Sequence, residues 1–279
     1  MSIRSLSRRH FLAASAASLG LAACARPAFA APAAPMQLGI QLYSLRGYSR
    51  DEALQHAKDL GFQQVEFYSG MFPTDASAEQ IAAIKQQVAD LGLTISAHGV
   101  NHFGSDFAAN RRLFEFAAAI GVPTITADPD PASFDNLDEL VDEFNIRIAI
   151  HNHGPRHRYN KVVDVLNAIE GHDKRIGACA DLGHFIRSGE QPIDVIRALK
   201  GRLYGIHLKD FAEMKDKAEG VILGKGHLDV EGVFFALQEA DFPADGALSL
   251  EYEENPQDPL DDIRQCVTVS QKALAKLNE

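Results

Sequence analysis

Eight short β-rich runs, each tied to an amphipathic helical stretch, predict an α/β chain closed into a single (β/α)8 TIM barrel. Three observations carry that prediction. Apolar residues at helical spacing, commonly closed by glycine, give way to a strand-like run again and again along the chain, as parallel strands with crossover helices require. Setting aside the first 30 of the 279 residues leaves 249, against ~250 for this architecture. Within the strands, one row of side chains is small or polar and finishes in a titratable residue, whereas strands buried on both faces read as continuous Val, Ile and Leu. Packing does not account for such a row, because buried polar groups cost free energy unless satisfied. A polar pocket at the C-terminal mouth does, and that is where barrels of this type bind ligands.

Strand one is predicted over 37–43 ("QLGIQLY"), with a helix from about Asp51 to Leu60 closed by Gly61. Its Leu38, Ile40 and Leu42 share one face, and Gly39, Gln41 and Tyr43 the other. Strand two (63–68) sets Val65 and Phe67 against Gln64, Glu66 and Tyr68, and a helix from Ala78 to Leu91 follows. Strand three (94–100) sets Ile95 and Ala97 against Thr94, Ser96 and His98, before a helix from about Asp106 to Ile120 closed by Gly121. Strand four (123–129) carries Thr124, Thr126 and Asp128 in one row, followed by a helix over 137–144. Strand five (146–154) ends its polar row with His151 and His153, and a helix spans 162–169. Strand six (176–184) presents Cys179 and Asp181, with a helix over 193–199. Strand seven, "RLYGIHLKD" (202–210), alternates Leu203, Gly205, His207 and Lys209 against Tyr204, Ile206 and Leu208. Strand eight (247–254) brings Glu251 and Glu253, after a helix from Val230 to Ala240, and a last helix runs from Pro259 to about Leu277.

Composition narrows the partners. A formal net charge of −11 argues against nucleic acid, whose binders need a basic face to displace counterions. Cys24, Cys179 and Cys266 are too few and too scattered for a disulfide framework or a cysteine zinc site. No apolar run is long enough to span a membrane. The first 30 residues read as a cleavable export signal: Arg8-Arg9 precede Phe11-Leu12 and an Ala/Leu-rich run, with an Ala28-Phe29-Ala30 cleavage-like triplet. The arginine pair is of the twin-arginine type, so a periplasmic location is expected, with 31–35 a short leader and the barrel at 36–279. "LAAC" (21–24) also resembles a lipoprotein processing site, which would make Cys24 a lipid anchor.

Strands five to eight deliver His151, Asp181, His207 and Glu251 to one mouth. Two imidazoles and two carboxylates suit a borderline divalent ion such as Mn²⁺, Zn²⁺ or Co²⁺. Without cysteine ligands the set is open to exchange and to substrate oxygens, as in a catalytic centre. His153, two residues beyond His151 on the same face, is a candidate base, Glu251 is a candidate catalytic group as well as a ligand, and Lys209 is a candidate for stabilising an enolate. Glu66, His98 and His184 are candidates for contact with substrate. So are Lys225 and His227, in a segment (211–226 and just beyond) that reads as a lid. Arg156, His157 and Arg158 read as a solvated loop or a site for an anionic group, and Cys179 as filler in the lumen.

In this order and spacing, "LGIQLYSLR", "ADLGHF", "GIHLKD", "GKGHLD" and "LSLEYE" resemble the xylose isomerase-like TIM barrels grouped as sugar phosphate isomerases/epimerases, over residues 36 to 278. The resemblance implies a divalent metal held by Asp181, His207 and Glu251, and catalysis on a polyhydroxy carbonyl compound. It also implies that the metal polarises a ketone so that the neighbouring C–H can lose its proton. The sequence departs from the common pattern at strand five, where many members have a glutamate and this chain has His151. The reading is therefore of a metal-dependent isomerase or epimerase for a small carbohydrate. The alternative is a lyase or hydratase eliminating from a 3-keto-glycoside, and a second alternative is a non-catalytic exported sugar-binding barrel. Substrate, metal and oligomeric state stay open.

Overall fold

The computed structural model describes residues 36–277; the expected export segment, leader and Cys24 lie outside the described residues. The strands are β1 Gly39–Gln41, β2 Gln64–Phe67, β3 Thr94–Phe103, β4 Thr124–Pro129, β5 Arg147–His151, β6 Ile176–Asp181, β7 Leu203–Leu208 and β8 Ala247–Leu250. All pair in parallel and close in the order β1-β8-β7-β6-β5-β4-β3-β2. The helices are α1 Arg50–Asp59, α2 Ala78–Asp90, α3 Phe107–Ile120, α4 Phe134–Phe144, α5 Val162–Ile169, α6 Leu182–Arg187, α7 Pro192–Ala198, α8 Val230–Glu239 and α9 Leu260–Lys276. Among the described residues no helix is long and apolar enough to cross a membrane.

Local chemistry explains the element ends. Ser49 and Ser77 open α1 and α2 with reciprocal capping boxes to Glu52 and Gln80, satisfying amide groups that the first helical turn leaves orphaned. Gly121 closes α3 at φ 84°, in the left-handed region where a side chain is disfavoured. The apolar row passes from strand to strand: Ile40 pairs with Val65 on one side and Leu250 on the other, and Leu250 pairs with Leu208. All four are buried, in one core with the inner faces of the helices, such as Leu137, Leu140 and Val141 of α4.

Several boundaries differ from expectation. β6 stops at Asp181 because that carboxylate caps a short extra helix, α6, by accepting from the His184 amide at 2.7 Å. β5 and β8 stop at His151 and Leu250, and α4 starts three residues early, at Phe134, after a tight turn over Pro131–Ser133. β3 runs on to Phe103 and carries two irregularities. The first matters for function. Val65 pairs with Ile95 but Glu66 pairs with Ala97, so Ser96 is one residue too many and the alternation of β3 inverts beyond it.

Candidate metal centre

The lumen floor is built on Glu66 from β2. It is fully buried and accepts hydrogen bonds from Thr126 Oγ1 of β4 (2.6 Å) and Ser249 Oγ of β8 (2.7 Å). His207 of β7 sits above it, with Nε2 3.1 Å from Glu66 Oε2. Glu66 can accept a hydrogen bond from Nε2, an arrangement in which the Nδ1 lone pair would be available to an ion on the side away from the floor. Around Nδ1 stand His151 Nε2 at 3.0 Å, Glu251 Oε2 at 3.0 Å and Asp181 Oδ2 at 4.0 Å, with His151 Nε2 3.6 Å from Asp181 Oδ2. One donor atom from each of the four lies within 4.8 Å of the others.

Whether these residues fit a divalent ion can be judged from distance and from satisfaction. A tetrahedral ion with ~2.1 Å bonds sets donor–donor edges of about 3.4 Å, and the four edges above, 3.0 to 4.0 Å, bracket that value. Asp181 divides its oxygens: Oδ1 caps α6, whereas Oδ2 is turned into the cluster, where it meets the Lys209 ammonium at 2.9 Å and His151 Nε2 at 3.6 Å and keeps lone pairs that an ion could use. Its backbone is clamped by Asn152, whose side chain accepts from Asp181 N at 2.8 Å and donates to Asp181 O at 3.0 Å. The set fits. His151, Asp181, His207 and Glu251 would hold the ion.

Lys209 projects into the same cluster. Its ammonium lies 2.9 Å from Asp181 Oδ2, 2.7 Å from Glu251 Oε2 and 2.5 Å from Glu253 Oε1. Burial disfavours the charge on Lys209, but these three carboxylates hold its pKa well above the usual lysine range. Burial likewise opposes ionisation of Asp181 and Glu251. His184 and Lys209 beside Asp181, and Lys209 and His207 beside Glu251, nevertheless keep both carboxyls well below the usual range. Burial opposes protonation of His207, yet Cys179, Glu66 and Glu251 raise its pKa. His153 is pushed down to about 3 by burial and then by His151, His157 and His184, and burial pushes His184 down to about 3. Both rings are therefore neutral at pH 7.

A cleft of about 370 Å³ opens above the cluster, lined by His151, His153 and His184 on one side and Glu251 and Glu253 on another. Gln41, Tyr43, Tyr68, Ser69, Gly99 and Val100 complete the lining, and none of these six has an assigned part at the site in the sequence reading. Tyr43 and Tyr68 meet edge to face at 5.3 Å, with Arg46 over Tyr43 at 4.5 Å. They end the polar rows of strands one and two, a position that could have flagged them.

Other candidates stand elsewhere. Glu66 lies below His207 and is not among the cleft-lining residues. The bulge turns His98 out of the lumen: it pairs with Phe67, lies 2.9 Å by Nε2 from Phe72 O and packs against Phe116 of α3. Lys225 reaches Gln265 of α9 at 3.0 Å, and His227 is bonded through its amide to Phe211 O; neither lines the cleft. Asp210 explains why: its carboxylate accepts from the amides of Gly224, Gly226 and Leu228, each at 2.9 Å, fixing that loop beside the barrel. Asp210–Phe211 and Gly220–Val221 form a small antiparallel ribbon, and no residue of 211–226 is among those that line the cleft. Arg156 and Arg158 are paired with Asp216 and Asp130. Burial pushes the Cys179 thiol up to about 11, which suits filler and not a nucleophile.

The chain resembles known proteins in sequence and in shape. It is 26% identical over 136 residues to inosose dehydratase of Clostridium botulinum, covering 43% of this chain and 45% of that one. It is 25% identical over 175 residues to 3-oxo-isoapionate decarboxylase of Pectobacterium atrosepticum, covering 56% and 61%. The matches therefore span about half the length of these curated relatives. A solved structure of an uncharacterized Parabacteroides distasonis protein superposes with TM-score 0.67 at 28% identity, over 88% of this chain and all of that one. Residues 54–269 match the family described as the xylose isomerase-like TIM barrel. With an eight-stranded closed barrel and the motifs of that group in order, the chain belongs to the xylose isomerase-like TIM barrel family.

Proposed function

We propose that this barrel is a divalent-metal-dependent lyase that removes the proton next to the ketone of a small keto-sugar or cyclic keto-polyol and expels a leaving group from the adjacent carbon. The observation that carries this reading is the asymmetry of the cleft. Its only carboxylates, Glu251 and Glu253, both follow β8, and the other lining residues able to take a proton near neutral pH are the imidazoles His151, His153 and His184. Epimerisation through like groups needs a proton acceptor on each face of the carbon, whereas elimination needs one base and a positive charge near the departing or enolising oxygen. His153, neutral and without a side-chain hydrogen bond, is the base, and its partner is Lys209, held cationic by three carboxylates. The relative from Clostridium botulinum is named for loss of water, which supports elimination over the isomerase or epimerase reading.

An ion held by His151, Asp181, His207 and Glu251 would polarise the ketone and acidify its α C–H. His153 takes that proton, Lys209 adds positive charge from behind Asp181 and Glu251 without lining the cleft, and Tyr43 and Tyr68 offer an aromatic lip to the sugar face. The cleft, at about 370 Å³, is at the small end of the ~300–1,000 Å³ typical of ligand pockets and suits a monomeric substrate. The test is turnover of keto-sugars, cyclic keto-polyols and 3-keto-glycosides by metal-loaded protein in D₂O. Elimination yields an unsaturated product, and His153→Asn lowers kcat by ~10²–10⁴-fold. Deuterated epimer without new product sinks the lyase in favour of the epimerase. Binding with neither outcome leaves only a sugar-binding barrel. Export to the periplasm belongs to the same proposal and is tested by locating the full-length protein after cell fractionation.

A further inference from the structure

A second set of donors stands beside the first centre, at the ends of β4 and β5. It consists of Asp128 from the end of β4, His153 from just past β5 and His157 from the loop before α5, with one donor atom from each within 4.8 Å of the others. None of the three side chains makes a hydrogen bond. Asp128 Oδ1, His153 Nδ1 and His157 Nδ1 are buried and unpartnered, and the nearest approach, His157 Nε2 to Asp128 Oδ2, is 3.6 Å, beyond hydrogen-bond reach. Three such orphans in one place are unusual, since buried polar groups are ordinarily paired.

The loop holds these residues together by other means. Tyr159 Oη and Arg158 Nη1 both donate to Pro129 O, at 2.6 and 2.9 Å, and Arg158 Nη2 lies 2.6 Å from Asp130 Oδ1. His153 N donates to Tyr159 O, and His157 N to Gly154 O. The loop is thereby strapped to the end of β4, with the His153 and His157 rings 4.2 Å apart. Arg158 is committed to Asp130, so among the described residues no lysine or arginine neutralises Asp128.

We propose that Asp128, His153 and His157 form a second divalent-cation site. Two imidazoles and one carboxylate suit Zn²⁺ or a similar borderline ion. The side chains of Asp128 and His157 are 26% and 36% exposed, so the ion would be reachable from solvent and exchangeable. The two sites share a wall, the rings of His151 and His153 lying 4.7 Å apart. A His153 nitrogen bound to an ion has no lone pair for a proton, so occupancy of this site and use of His153 as a base exclude each other. That last consequence alone rests on the function proposed above.

The experiment is Zn²⁺ stoichiometry of the full chain, stripped with chelator and re-equilibrated at buffered free Zn²⁺, by elemental analysis. Wild type should bind one ion more per chain than His157→Ala or Asp128→Asn, with thermal melting showing that the variants are folded. Equal stoichiometry in wild type and in both folded variants overturns the site. One ion in wild type and none in the variants would instead deny the β5–β8 centre and leave this one standing. Excess Zn²⁺ should depress turnover of wild type and not of His157→Ala. If filling the site leaves turnover untouched, His153 is not the base, and the site stands.

Discussion

Glu66→Gln isolates what the carboxylate beneath His207 contributes. The substitution keeps size and one acceptor but removes the charge that receives the His207 Nε2 proton across 3.1 Å. Glu66 is kept ionised although burial opposes it, because His207, Thr126 and Ser249 all surround its oxygens. Thr126 and Ser249 carry hydroxyls that rotate to suit an amide, so the variant should fold. Outer partners of metal-bound histidines are worth ~10–100-fold in affinity, or ~1.4–2.7 kcal/mol at 1.36 kcal/mol per decade. Competition for Zn²⁺ against a chromogenic chelator measures this directly, with a melting curve as the control. A folded Glu66→Gln protein whose affinity moves by less than about threefold, far from the range expected of such partners, would refute the view that His207 is a ligand oriented from below.

Other perturbations test the frame. Asp210→Ala removes the acceptor of three loop amides; at ~1–3 kcal/mol for a stranded buried group, a loss of a few kcal/mol and faster proteolysis within 211–228 are expected. Gly177→Ala would place a Cβ 2.1 Å from Arg202 O, a backbone atom that cannot step aside. A cost of ~3 kcal/mol lowers the melting temperature by roughly 6–12 °C in a domain of this size, and an unchanged melt contradicts the β6–β7 geometry. Asp173 has its pKa lowered to about 2, first by its hydrogen bonds with Arg175, against burial. A folded-state pKa below the unfolded one stabilises at pH above the unfolded value and is lost as pH falls through the folded one. Asp173→Asn should therefore cost about 1 kcal/mol at pH 6, allowing for solvent screening, and nothing near pH 2; denaturant melts at both pH values decide it.

The barrel was legible because its strands alternate cleanly: Glu66, Thr126, His151, Asp181, His207 and Glu251 were all assigned to the inner row, and all project inward around one cluster. Misplacements trace to features that period-2 reasoning cannot register. His98 was assigned by parity, and one surplus residue at Ser96 reverses parity. The weakly periodic loop of Lys225 and His227 reads as a lid, but three amides bonded to Asp210 fix where it lies, and neither side chain lines the cleft. Tyr43 and Tyr68 end the rows that hold Gln41 and Glu66, but an aromatic residue at a strand tip carries no titratable signature that separates lining a cleft from packing. Asn152 was hidden for a similar reason: its work is on the backbone of a residue 29 positions away, which no local pattern reveals.

The ammonium of Lys209 among Asp181, Glu251 and Glu253 separates assembly from loading. Acidic side chains gathered in a low-dielectric interior repel one another, and many small metal-dependent domains stay unfolded until their ion arrives. Here a tethered cation already offsets that repulsion, so the newly made chain can close its cylinder before any ion arrives. Stripping the metal should yield a folded, reloadable barrel, and replacing the lysine by a neutral residue should make folding itself depend on the ion.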